Sequence, residues 1–300
     1  MTHAAPINEP SLATIPEVTH RSVDVDGLRV FYREAGPADA PVILLLHGFP
    51  TSSHMFRRLM PLLAGSFRLV APDLPGFGFT DQPSRDTFAY TFDNLARTIE
   101  RFTAVVGLTR YALYVFDYGA PVGFRLAMAQ PKGVTAIISQ NGNAYAEGLS
   151  DAWDPIQRYW REPTAAHREA LRSLLTLEAT RWQYVHGVPD ESLVAPETWT
   201  LDWALLQRPD NDEIQLDLFR DYAKNVALYP AFQAHLAIHR PPTLAIWGRN
   251  DPFFLPAGAE AYRLHNPGAE VRLLDTGHFA LETHAVEIAG AIRTFLSRSL

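Results

Sequence analysis

Apolar residues along the chain fall into two recurring patterns. Val42–Leu46 is an unbroken apolar run between Pro41 and His47-Gly48, as in a strand covered on both faces. Phe67–Ala71, stopped by Pro72, and the short runs Tyr111–Phe116 and Val134–Ser139 read the same way. Helical spacing lies between them. Ser52 is placed to cap a helix reaching Leu63, and Thr91–Val106 sets Leu95, Ile99, Phe102 and Val106 on one face. Pro121 suits the first turn of a helix ending near Gln130. Alternating strands and helices predict a mostly parallel sheet.

From about Ala146 the alternation stops. Residues 146–236 are rich in Trp and Tyr, lack a β-branched run, and predict helices over Pro155–Trp160, Ala165–Tyr184 and Gln215–Tyr229. A strand returns at Thr243–Trp247, followed by a helix (Ala257–Leu264), a strand (Val271–Leu274) and a helix (His284–Leu296). The simplest organisation is an N-terminal tail (1–19), an α/β core (20–145 and 237–300) and a helical insertion (146–236).

Composition narrows the chemistry. The 300 residues contain no cysteine, which excludes disulfides, thiolate catalysis and Cys-ligated zinc, and fits the cytoplasm. The formal net charge is −7 and no Lys/Arg cluster breaks it, which disfavours nucleic-acid and anionic-membrane partners. No apolar run is long enough to span a bilayer, and Met1–Pro16 lacks the basic-then-apolar order of a secretory signal. His235 and His239 stand four apart without a third ligand, so no metal and no cofactor is expected. The expected partner is a small-molecule substrate, and the sequence is compatible with a homodimer.

Four segments, each just after a strand, carry candidate chemistry: His47-Gly48-Phe49-Pro50, Val115-Phe116-Asp117-Tyr118-Gly119, Trp247-Gly248-Arg249-Asn250-Asp251-Pro252 and Thr276-Gly277-His278-Phe279. An isolated Asp at a strand-to-helix turn is ordinarily a helix N-cap. Here Asp117, Asp251 and His278 follow one another in the order nucleophile, acid, histidine. Gly76-Phe77-Gly78-Phe79-Thr80 has no Walker lysine after it and reads as a tight structural turn.

With these motifs the chain resembles the α/β-hydrolase fold family from about Val23 to Leu300. The resemblance implies an α/β-hydrolase fold: a mostly parallel central sheet flanked by helices, with a helical cap inserted after the sixth strand. Where that family's elbow usually reads G-x-S-x-G, this chain has Val115 at the first glycine and Asp117 at the serine. A carboxylate is already ionised at neutral pH and can attack a saturated carbon directly. His278, oriented by Asp251, would then activate water to hydrolyse the resulting ester. The backbone N–H groups of Phe49 and Tyr118 would hold the oxyanion.

Two branches of the family use an aspartate nucleophile, epoxide hydrolases and dehalogenases, and differ in what receives the leaving atom. An opening epoxide needs acidic donors, which two cap tyrosines supply. The segment around Tyr222 resembles the second of these; Tyr159, next to Trp160, stands where the first is expected, with Tyr145 and Tyr184 as alternatives. Trp160 is the candidate substrate contact. The haloalkane-dehalogenase halide ligands are absent, since Tyr118 follows the nucleophile and Phe49 occupies the His-Gly segment. Defluorinating haloacid enzymes carry arginines where this chain has Tyr118 and Pro121, although their cap also has a tyrosine resembling Tyr222. Epoxide hydrolysis is therefore the leading expectation and dehalogenation through the same ester its rival. A non-catalytic binding protein on this fold leaves the triad order unexplained. A serine enzyme would need an elbow that Ser139-Gln140-Asn141-Gly142 does not form.

Overall fold

The computed structural model describes residues 16–299. In chain order the elements are β1 (Val18–Val25), β2 (Leu28–Ala35), β3 (Val42–Leu46), α1 (Leu59–Leu63), β4 (Arg68–Pro72), α2 (Phe92–Val105), β5 (Tyr111–Phe116), α3 (Gly119–Ala129) and β6 (Val134–Gln140). There follow α4 (Asp154–Arg161), α5 (Ala165–Ala170), α6 (Leu177–Val185), α7 (Glu197–Leu206) and α8 (Asn211–His239). The chain closes with β7 (Thr243–Gly248), α9 (Pro256–His265), β8 (Glu270–Leu274) and α10 (Leu281–Ser299).

All eight strands form one sheet, ordered β1-β2-β4-β3-β5-β6-β7-β8, antiparallel through β1, β2 and β4 and parallel from β4 to β8. Successive side chains of a strand face opposite sides, so Leu44, Leu46 and Val115 enter one core while Ile43, Leu45, Tyr114 and Phe116 enter the other. Helices α2 and α3 supply the first core, α1 and α10 the second. The cap, α4 to α8, lies between β6 and β7 in the chain. Among the described residues, no helix is long and apolar enough to cross a membrane.

Register brings the motifs together. Leu46 lies opposite Val115, Phe116 opposite Gln140, Gln140 opposite Ile246, and Gly248 opposite Leu274. The residues after β3, β5, β6, β7 and β8 therefore share the C-terminal edge of the sheet, where open α/β sheets place their ligands.

Four expectations need correction. The tail expected over 1–19 is already strand at Val18; β1 is an edge strand whose outward residues are polar, so it lacks an apolar signature. Residues 1–15 of that tail lie outside the described residues. The helix expected over Ala165–Tyr184 is interrupted, because the Thr176 hydroxyl accepts from the N–H of Ala179 and starts α6 anew. Helix α8 passes through Pro230 to His239, beyond the expected core boundary at 237, with Phe232, His235 and Leu236 buried beyond the proline. A proline removes one intrahelical bond, and burial of those side chains outweighs it. Helix α7 had no counterpart among the helices expected from the pattern, since its buried positions are Thr198, Asp202 and Leu206, mostly polar.

Val115, the departure from the elbow pattern, has a compensating partner. A Cβ on Gly123, in α3, would stand 2.5 Å from Val115 Cγ1, so the missing side chain of Gly123 makes room for the valine. Gly123→Ala should destabilise by about 1–3 kcal/mol through overpacking. In a Val115→Gly background that penalty should largely vanish; equal penalties in the two backgrounds, by urea unfolding, would contradict the pairing.

Candidate active site

Asp117 terminates β5 with φ +46°, a left-handed backbone that Asp tolerates better than most residues. The turn is possible because its neighbours are small. A Cβ on Gly119 would overlap the Leu46 carbonyl oxygen, and one on Gly48 the Asp117 carboxylate. The Phe49 N–H donates to Asp117 Oδ1 at 2.6 Å, and the Tyr118 N–H also bonds the carboxylate. The other oxygen, Oδ2, lies 4.0 Å from His278 Nε2.

The loop carrying Phe49 is fixed from beneath. Buried His47 accepts from the Leu74 N–H at Nε2, 2.9 Å, and its Nδ1 lies 3.0 Å from the Gly48 carbonyl. Burial lowers the His47 pKa, which favours this neutral, bridging form. Asp73 accepts from the N–H groups of Ser53 and Phe79. Gly78, with φ +51°, packs so closely on Asp73 that a Cβ would overlap the carboxylate. The Gly76–Thr80 turn is thus structural.

His278 is 1% exposed and bonds Asp251 Oδ2 through Nδ1 at 2.7 Å, leaving Nε2 toward Asp117. Asp251 receives three further donors: Asn141 Nδ2 at Oδ2 (2.6 Å), and the N–H groups of Phe253 (2.7 Å) and Phe254 (3.1 Å) at Oδ1. Sequence reasoning missed Asn141. It follows β6 with φ +49°, and its Oδ1 accepts from the Gly248 N–H. Its signal was the Asn-Gly pair after a strand, a good turn former.

The electrostatics separate the two carboxylates. Burial pushes the Asp117 pKa up to about 6, against the lowering pull of His278 and the Phe49 and Tyr118 N–H groups. For His278, burial alone would lower the pKa, but the charge and hydrogen bond of Asp251, with Asp117 adding, outweigh it and raise the value.

A cavity of about 40 Å³ opens on this edge, walled by Asp117, Tyr118, His278 and Phe49 from the core, with Phe253 from the loop after β7. The cap contributes Trp153, Ile156, Leu174, Gln183 and Phe219. It is well below the ~300–1,000 Å³ of pockets for drug-sized ligands, and is mostly apolar. Of these five, Trp153 is one of the cap tryptophans among which the sequence could not choose a contact; Ile156, Leu174, Gln183 and Phe219 carry no motif that would single them out.

The expected cap residues are distributed differently. Tyr222 is buried behind the cavity and is not one of its walls; its ring packs against Trp153 (4.6 Å between centroids) and Tyr118 (5.7 Å), which are. Its hydroxyl makes no well-formed hydrogen bond among the described residues and lies beside the Tyr229 hydroxyl. Tyr159 is not brought to the cavity: its hydroxyl accepts from Arg168, 3.2 Å away, which in turn pairs with Glu213. Trp160 is also absent from the walls; its indole N–H donates to the Phe219 carbonyl, and it lines an outer groove with Arg85 and Lys224. Of the alternatives, Tyr184 donates to Asp202, and Tyr145 packs on Tyr262 and His265. Neither lines the cavity.

An eight-stranded, mostly parallel sheet with a triad-like cluster on its C-terminal edge and a cap above defines a class, and residues 41–285 match the family model for the alpha/beta hydrolase fold. The chain belongs to the α/β-hydrolase fold family. It is 50% identical to an uncharacterized hydrolase, YNR064C, of Saccharomyces cerevisiae, over 91% of this chain and 95% of that one. It is 30% identical to a haloalkane dehalogenase of Mycobacterium marinum, over 90% of each. With epoxide hydrolase 2 of Caenorhabditis elegans it shares 27% identity over 80% of this chain and 69% of that one. It is thus a hydrolase related to haloalkane dehalogenases and epoxide hydrolases.

The two acidic residues should respond oppositely to amidation. A carboxyl whose native pKa is raised binds its proton more tightly when folded, so its contribution falls as pH rises from about 4 to 6 and the full penalty stands at neutral pH. Asp117→Asn should therefore leave stability unchanged or raise it by about 1–3 kcal/mol at pH 7. Asp251→Asn turns an amide toward groups that are all donors and should cost about 3–5 kcal/mol. Denaturant unfolding of both variants checks the signs; loss of stability in Asp117→Asn would contradict this account.

Proposed function

We propose that the protein hydrolyses a small epoxide to a vicinal diol through a covalent ester on Asp117. The observation that carries this reading is the asymmetry of the Asp117 carboxylate at the cavity wall: Oδ1 is held by the Phe49 N–H, and Oδ2 lies 4.0 Å from His278 Nε2. In the proposed reaction Oδ2 attacks an epoxide carbon, the carbon–oxygen bond breaks, and the alkoxide takes a proton from Tyr222. His278 Nε2 then removes a proton from water, which attacks the ester carbon of Asp117. The oxyanion forms on Oδ1, which already accepts from the Phe49 N–H, with the Tyr118 N–H also at the carboxylate. Collapse releases the diol, and the imidazolium proton returns to the Tyr222 oxygen through solvent.

Support for an epoxide over a halide comes from the donors. The indole N–H groups of Trp153 and Trp160 both donate to backbone carbonyls, of Phe253 and Phe219, so neither is free to cradle a halide. The Tyr222 hydroxyl, whose neighbour is the Tyr229 hydroxyl, has its pKa raised well above the usual value by burial, so it holds its proton until a stronger base appears. The relationship to a haloalkane dehalogenase keeps halide displacement as the second reading, through the same ester.

His278→Gln should form the ester and fail to hydrolyse it. Incubation with 1,2-epoxybutane, styrene oxide and haloacetate, followed by intact-mass measurement, should give an epoxide-mass adduct mapping to Asp117. Wild-type enzyme should release diol; halide release without diol would reverse the preference, and no adduct with any of them would remove the mechanism.

The two half-reactions should also part company with pH. Ester formation needs ionised Asp117 and should fade as pH falls through about 6. Hydrolysis needs neutral His278; the ester removes the Asp117 charge, but the charge and hydrogen bond of Asp251 still favour the imidazolium, so hydrolysis should fail first as pH falls. Covalent enzyme should therefore accumulate in mildly acidic buffer, read by acid quench and mass measurement. Loss of ester formation at a higher pH than hydrolysis would contradict the assignment.

A further inference from the structure

Gln183 is the amide that the cap brings to the cavity. It is 4% exposed, it lines the same wall as Asp117 and His278, and its carboxamide makes no hydrogen bond among the described residues. The buried amides near the triad behave otherwise: Gln140, Asn141 and Asn143 all donate to oxygen acceptors. The Gln183 amide is not sealed within the protein, so a ligand atom in the cavity can reach it and complete its hydrogen bonding.

Its position is held firmly. The next residue, Tyr184, stacks on Phe279 with ring centroids 3.8 Å apart and donates to Asp202 at 2.5 Å. Helix α6 is thereby pinned on the loop that bears His278, and Gln183 is presented to the cavity from a fixed backbone. Tyr159, the other tyrosine expected to donate to the substrate oxygen, stands outside the cavity walls.

We infer that the Gln183 side-chain N–H donates to the substrate oxygen during ester formation, beside Tyr222. This rests on the epoxide reading above. An amide N–H transfers no proton at neutral pH; it stabilises the developing alkoxide while Tyr222 supplies the proton, so the charge and proton balance of the step are unchanged. The inference also gives the enzyme a polar selectivity element in an otherwise aromatic and aliphatic cap.

The test uses full-length protein in the His278→Gln background, where ester formation is isolated. Adding Gln183→Leu should slow adduct formation from 1,2-epoxybutane by about 10- to 100-fold, the span of a hydrogen bond to a developing charge. The melting temperature should stay equal or rise, because an unpaired amide has been removed. With His278 intact, decay of the preformed ester should stay within about twofold of wild type, a split that general loosening of the cap would not produce. Gln183→Met, unbranched and of similar length, carries the same comparison if leucine perturbs folding. Equal adduct rates with and without Gln183 overturn the inference while leaving the Asp117 ester intact. Absence of any adduct in His278→Gln alone removes both together.

Discussion

A charged carboxylate held in an apolar cavity, on a left-handed backbone, sets the terms for everything around it. Asp117 is almost wholly buried, and burial moves its pKa up to about 6. Keeping it mostly ionised at neutral pH requires donors that cannot move away, and backbone N–H groups meet that need better than flexible side chains. Those donors exist only because the Phe49 loop passes directly against the elbow. That approach demands Gly48 and Gly119, whose side chains would collide with the carboxylate and with the Leu46 carbonyl. It also demands the His47 and Asp73 bonds that tie the loop down from below. Glycines, buried histidine and structural aspartate are thus consequences of one anion.

The second carboxylate is treated in the opposite way. Asp251 is sealed against the base of the cleft with four donors, one of them the imidazole it orients. Its neighbour Asn141 fastens it to the end of β7 through the Gly248 N–H, so the acid and the strand move as one body. One carboxylate has an oxygen left open and the other has none. In the proposed reaction this difference suits the first to attack and the second to orient the imidazole.

This division explains what could be read from the sequence. Val42–Leu46 and Tyr111–Phe116 were legible to the residue because strands covered on both faces are continuous apolar runs. Asp117, Asp251 and His278 were legible because each follows a strand and parallel register collects strand ends on one edge. Strand β1 was not, since an edge strand with polar outward residues has no such pattern. The cap misled because a motif does not show how far along a helix the cavity extends. Along the segment into α4, Trp153 and Ile156, three apart, meet the cavity, whereas Tyr159 turns its hydroxyl to Arg168 and Trp160 lines an outer groove. Trp160 lies seven residues on from Trp153, on nearly the same face but about 10 Å further along the axis. Gln183 and Asn141 were invisible for another reason: their importance lies in a bond unmade and a bond made across distant elements.

The spacing between Asp117 Oδ2 and His278 Nε2 completes the argument. At 4.0 Å it is too long for a direct hydrogen bond, yet both groups are buried and of opposite preference. A direct bond would tie the attacking oxygen to the imidazole and blunt its nucleophilicity. A much wider gap would leave the imidazole unable to reach a water poised at the ester carbon. Under the proposed mechanism, the intermediate distance would let a substrate carbon approach Oδ2 first and a water lie beside Nε2 afterwards, in a cavity small enough to exclude most other solvent. Sequential use of one gap by carbon and then by water is what that mechanism asks of the site, and the register of the strand ends brings the two groups to this spacing.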